Sequence, residues 1–136
     1  METLIESLHS GGYSCVIRKG DKTRTFRQRG VKDLWELCQS QDLFLNGAII
    51  ADKVVGKGAA ALMILGGIKE VYADVISTPA VDLLKEHGIK TSFNETTDRI
   101  INRQGNGLCP VETLCINLQS VNEMYEVITN FIKQNR

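Results

Sequence analysis

Two short apolar runs, each handed straight to a helix start, constrain this chain more than any other feature. Residues Ala48–Ile50 lead into Asp52-Lys53-Val54-Val55-Gly56-Lys57-Gly58-Ala59-Ala60-Ala61-Leu62. Residues Val71–Ile76 lead into Ser77-Thr78-Pro79-Ala80-Val81-Asp82-Leu83-Leu84. Runs this apolar belong in the middle of a sheet covered by other layers, and a strand followed directly by a helix is the unit of a parallel sheet. Open α/β sheets build their sites at the carboxyl ends of such strands.

The remaining segments fit around this nucleus. Leu4, Ile5 and Leu8 stand at helical spacing, and Gly11-Gly12 stops the helix. Tyr13–Arg18 and Thr23–Arg27 read as two strands of a hairpin that turns at Gly20-Asp21. Val31, Leu34, Trp35 and Cys38 fall at i, i+3, i+4 and i+7, which is the apolar stripe of a helix with Trp35 as core anchor. Gly66-Gly67 ends the alanine-rich helix. Thr78 is the expected N-cap of the next one, with Pro79 at its first position and Gly88 at its end. Lys90–Phe93 reads as a weaker strand, and Cys109-Pro110-Val111-Glu112 as a short helical turn. Ser120-Val121-Asn122-Glu123 is a capping box for a last helix striped by Met124, Tyr125, Ile128, Phe131 and Ile132. The order predicts an α/β fold, a three-layer α/β/α domain with a mixed sheet and right-handed crossovers that place helices on both sheet faces.

At 136 residues the chain is expected to form a single domain, 1–136, with a core that needs no disulfide or metal. Sixteen basic residues balance sixteen acidic ones, so no global field recruits nucleic acid or an anionic membrane. The local basic stretch from Arg18 to Arg29 reads as a solvated hairpin. No apolar run approaches the roughly 20 residues that span a bilayer. The acidic start Met1-Glu2-Thr3-Leu4-Ile5-Glu6 lacks the pattern of a signal peptide, so the expected location is cytoplasmic. Cys15, Cys38, Cys109 and Cys115 are spaced by 23, 71 and 6 residues, form no CxxC pair, and are expected to be reduced. With only His9 and His87 to join them, no zinc set stands out, and neither a metal nor another cofactor is expected.

The order of elements resembles the cytidine deaminase-like fold. More closely, the chain resembles a small bacterial family of uncharacterised proteins placed in that superfamily. Carrying the resemblance are Asp52–Ala61, Tyr72–Ser77 and Asn102-Arg103-Gln104-Gly105-Asn106-Gly107-Leu108-Cys109-Pro110-Val111-Glu112, and it runs from Tyr13 onward. In the zinc-dependent deaminases the two junctions carry His-x-Glu and Pro-Cys-x-x-Cys, which supply the metal ligands and the proton shuttle. Here Gly56–Ala59 holds no His or Glu, and only Pro79 survives of the second motif. The resemblance therefore implies an architecture without hydrolytic deamination, and no known activity.

Lys57 starts a helix right after a strand, four residues beyond Lys53, and Gly56 and Gly58 leave its backbone N–H groups open. That combination suits an anion. Alternatively, Lys57 pairs with Asp74, an acid on a central strand that needs a partner. The two readings are compatible. Cys109 precedes Pro110 at a helix start, where the dipole favours thiolate, or else it only shapes a turn. Glu112 is expected to cap that same helix. Lys53, at the helix start with Lys57, joins Gly56, Gly58, Ser77, Asn102, Arg103 and Glu112 as the ligand-binding residues expected around a crevice at the carboxyl ends of the central strands. Three functions follow as expectations. One is a zinc-free deaminase-like domain binding a small anionic or nucleotide-like ligand. The second is an enzyme with Cys109 as nucleophile or Lys57 and Asp74 as acid and base. The third is a structural or regulatory homo-oligomer. A homodimer is expected in any case, with the alanine-rich helix or the C-terminal helix at its interface.

Overall fold

The structure is a computed structural model that describes residues 1–28, 31–100 and 110–134. Helix α1 (Glu2–Ser10) precedes the hairpin of β1 (Cys15–Lys19) and β2 (Lys22–Phe26), and α2 (Lys32–Gln39) follows. Then come β3 (Ile49–Val55), α3 (Lys57–Gly66), β4 (Glu70–Ser77), α4 (Thr78–Glu86) and β5 (Lys90–Thr97). Short α5 (Pro110–Cys115) and long α6 (Val121–Gln134) complete the described chain. The five strands form one mixed sheet in the order β2-β1-β3-β4-β5. β1 is antiparallel to both its neighbours, whereas β3, β4 and β5 are parallel.

The chain advances from β3 to β4 to β5 without reversing direction across the sheet. Right-handed crossovers then put both connecting helices on one face. Helices cover both faces, as the sequence predicted, but unequally: α2 through α6 share one face with Ile17, Ile50, Val71, Ala73 and Ile76 in the main core. Among the described residues, α1 is the helix that covers the other face, setting Leu4 and Leu8 on Val16 and Ala51 beside Tyr72.

Within this frame α3 is the central helix. Every residue from Gly58 to Met63 is buried, against α2, α4, α5 and α6. A Cβ on Gly58 would stand 2.5 Å from Val111 Cγ1 and 3.3 Å from Ile128 Cδ1, so the glycine lets α5 and α6 close on the helix. Small residues here serve packing inside the protomer. The small-residue face of this helix, which the sequence offered for a dimer contact, is covered within the protomer. A correction concerns Lys53, which is exposed within β3 rather than beside Lys57 at the helix start. The strand runs on to Val55 because it keeps its register with β4 up to Val55 opposite Ile76.

Helix α1 rests on few apolar contacts, and a polar latch finishes its docking. Asp74 Oδ1 accepts from Tyr72 Oη at 2.7 Å and pairs with His9 Nε2 at 2.7 Å. Both partners of the latch are partly solvated, so its contribution should stay below about 1 kcal/mol. His9→Ala should speed amide hydrogen exchange in α1 while leaving β3 and β4 protected. Uniform acceleration across the sheet would contradict a local latch.

Candidate functional site

Parallel pairing with Val55 opposite Ile76 sets Gly56 and Ser77 side by side at the carboxyl ends of β3 and β4. Two helices start there: α3 with Gly56 as N-cap, and α4 with Ser77 as N-cap. The Ser77 hydroxyl accepts from the N–H of Ala80 at 3.3 Å, the capping role that the sequence had suggested for Thr78. Thr78 is instead the first residue of α4.

A carboxylate fills the space between the two helix starts. Glu112, on α5 and only 2% exposed, turns away from its own helix. Its Oε2 accepts from the main-chain N–H of Lys57 at 2.9 Å and from the Ser77 hydroxyl at 2.5 Å. Its Oε1 accepts from the N–H of Ile100 at 2.7 Å. Glu112 therefore caps α3 from its place on α5. The reason is geometric: Val111, Glu112 and Cys115 form the inward face of the short helix, and its acid meets the free N–H groups at the positive end of α3. Gly56 is the complementary requirement, since a Cβ there would stand 3.0 Å from Glu112 Oε2 and 3.2 Å from Ile100 Cγ1.

Lys57 contributes to two places at once. Its N–H serves Glu112, while its ammonium donates to the carbonyls of Ile116 at 3.0 Å and Leu118 at 2.8 Å, just past the end of α5. A cation at a helix C-terminus satisfies carbonyls that lack intrahelical partners. The expected Lys57–Asp74 pair is thus not formed. Asp74 points to the α1 face and is held by Tyr72 and His9, so one crevice shared by Lys57 and Asp74 does not exist. Cys109, Asn102 and Arg103 lie outside the described residues.

A groove of about 620 Å³ opens outside Glu112, between α4 and the α5–α6 connection. Lys57, Thr78 and Arg99 line it, with Asp82, Lys85 and Asn117 further along. Among the sequence-predicted residues, Lys57 reaches this groove. Ser77 and Glu112 are buried as neighbours, Gly56 is in contact with Glu112, Gly58 packs against Val111, and Lys53 is exposed on β3. Among the described residues, no group of three or more His, Cys, Asp and Glu side chains is placed to hold a metal ion.

Asp52 is a titratable group that sequence reading passed over. It stands opposite Cys15 across the β1–β3 pair. Burial pushes its carboxyl up to about 7, against hydrogen bonds from the N–H groups of Val54 and Lys53 and from the Cys15 thiol, with the Asp74 charge adding to the rise. The thiol is itself pushed up, by burial first and by Asp52 second. Only the partnering of strands brings the two residues together, so no local motif announces them.

Two predictions follow from this chemistry. Glu112→Ala strands two N–H groups and a hydroxyl, and should cost about 3 kcal/mol in urea unfolding. Glu112→Gln should also destabilise, because its amide NH₂ faces a donor; wild-type stability in both variants would refute the clasp. For Asp52, the folded state holds its proton to a higher pH than the unfolded chain does, near 4. The resulting penalty is absent below that value, grows as pH rises, and is complete above about 7. Asp52→Asn should therefore stabilise the protein by on the order of 2 kcal/mol at pH 8 and by little at pH 4. An equal effect at both pH values would contradict the assignment.

Comparison with known proteins places this geometry in a family. The model of the TM1506 family, a domain of unknown function (DUF1893), matches residues 3–132, and the chain belongs to that family. Its structure is similar to the crystal structure of a DUF1893 family protein from Thermotoga maritima, with a TM-score of 0.83 and 26% identity. The likeness covers 96% of this chain and 90% of that one. No curated protein matches the chain.

Proposed function

We propose that this member of the TM1506 family is a zinc-free, deaminase-like binding domain that takes a small anionic or nucleotide-like ligand in the groove beside Lys57. The carrying observation is the Lys57 ammonium, held at the carboxyl end of β3 by two carbonyls and lining a groove shared with Arg99. An anchored cation loses less side-chain entropy when an anion arrives than a free surface lysine does. The volume lies within the range of small-molecule sites.

The deaminase-like part of the reading draws support from two adjacent strand-to-helix junctions, the place where deaminases keep their metal ligands. Zinc does not fit there in this chain. A metal requires lone pairs, but the Lys57 and Ile100 N–H groups and the Ser77 hydroxyl direct hydrogens at that spot and already hold a carboxylate. No step is therefore routed through a metal.

The test is titration of the labelled protein with inorganic phosphate and with cytidine monophosphate, followed by NMR. Resonances of Lys57, Thr78 and Leu118 should shift. Arg99→Gln should weaken binding several-fold without changing stability, because Arg99 is exposed. Added salt should weaken binding as well. Shifts absent from the groove, or an Arg99→Gln variant that binds like wild type, would overturn the proposal.

A further inference from the structure

We infer that the ligand of this groove is a zwitterion, with an anionic group against Lys57 and Arg99 and a protonated amine against Asp82 and Glu86; this rests on the groove reading proposed above. The groove is lined by charges of both signs. Lys57 stands at the carboxyl end of β3 and Arg99 beyond the end of β5. Asp82 and Glu86 lie four residues apart on α4, one turn above the other on the same face of that helix. Both acids are exposed, and both border the same void as the cations.

Neither set neutralises the other. Among the described residues, the ion pairs within 4 Å are His9–Asp74 and Arg24–Asp42, both away from the groove. Two acids at i and i+4 repel each other, and their own helix gains nothing from the arrangement. Lys85, on the same helix, also borders the groove without an ion pair to either acid.

These charges set what the groove accepts. A simple anion drawn to Lys57 and Arg99 is opposed by Asp82 and Glu86. A simple cation meets the reverse opposition. A small molecule that carries both an anionic and an ammonium group satisfies each wall, and the Asn117 amide adds neutral hydrogen-bond capacity beside them. Like-charge juxtaposition rejects the singly charged alternatives, which makes the acids specificity determinants rather than the main source of affinity.

Three probes separate the possibilities on the full-length chain: inorganic phosphate, ethanolamine and O-phosphoethanolamine, each titrated by NMR. O-Phosphoethanolamine should bind at least tenfold more tightly than phosphate, and ethanolamine should bind most weakly. In the Asp82→Asn/Glu86→Gln double variant, affinity for O-phosphoethanolamine should fall to the phosphate level, while phosphate binding holds or improves. Since both substituted positions are exposed, the fold should be retained, and unchanged urea unfolding checks it. Equal binding of phosphate and O-phosphoethanolamine, or a double variant that keeps the difference, would overturn the zwitterion inference and leave the anion site standing. If no probe shifts groove resonances, the anion site fails and the inference fails with it.

Discussion

The buried carboxylate of Glu112 is the interaction on which the rest of the arrangement depends. It accepts from the N–H groups of Lys57 and Ile100 and from the Ser77 hydroxyl, and so joins α5 to the start of α3, the end of β4 and the segment after β5. Three donors on one buried carboxyl replace hydrogen bonds that it gives up on leaving water, which offsets part of its desolvation cost. Its position at the first turn of α3 adds the field of that helix. Other features follow from it. Glycine at 56 lets the carboxylate approach without displacement, and Ser77 donates to Glu112 while it accepts from Ala80.

The same clasp explains why Lys57 is divided between its main chain and its side chain. With its N–H committed to Glu112, the residue's backbone is fixed, and the side chain extends along α5 to the carbonyls of Ile116 and Leu118. Glu112 and Lys57 thus hold the first turn and the far end of one six-residue helix. A helix that short has little stability of its own in water and depends on such tertiary contacts. On the opposite face of the sheet, Asp74 obtains from Tyr72 and His9 what Lys57 was expected to supply.

The architecture was legible in the sequence because it is carried by periodicity and by glycine stops. The stripe of α6 was readable, as were the hairpin turn at Gly20 and the two central strands. What misled were residues whose surroundings are set by distant parts of the chain. Asp52 and Lys53 followed the apolar run Ala48–Ile50 and read as the approach to a helix, yet pairing with β1 and β4 carries β3 through them. Glu112 looked like the cap of its own helix because a first-turn acid usually is one. Its true partners lie 55 and 35 residues earlier, at Lys57 and Ser77. One signal was available: the acid sits between Val111 and Cys115 on the inward face of α5, and a charge on an apolar face requires donors. Likewise, the alanine-rich helix signalled close approach without saying what approaches, and it is α5 and α6.

Filling the inner space has a consequence for where a ligand can be received. The two junctions meet in a ring of hydrogen-bond donors, and a donor ring selects an anion in the way that a ring of lone pairs selects a metal. Because the protein supplies that anion itself, the innermost position is closed to anything from solvent. Among the described residues, the outward end of Lys57 faces water at these strand ends, and around it lies the groove bordered by Arg99 and by the acids of α4. In the proposed reading, recognition has moved outward from the helix starts to charged side chains at the rim. Rim charges act through solvent and are screened by salt, so such a site discriminates by the pattern of its charges more than by the depth of its burial.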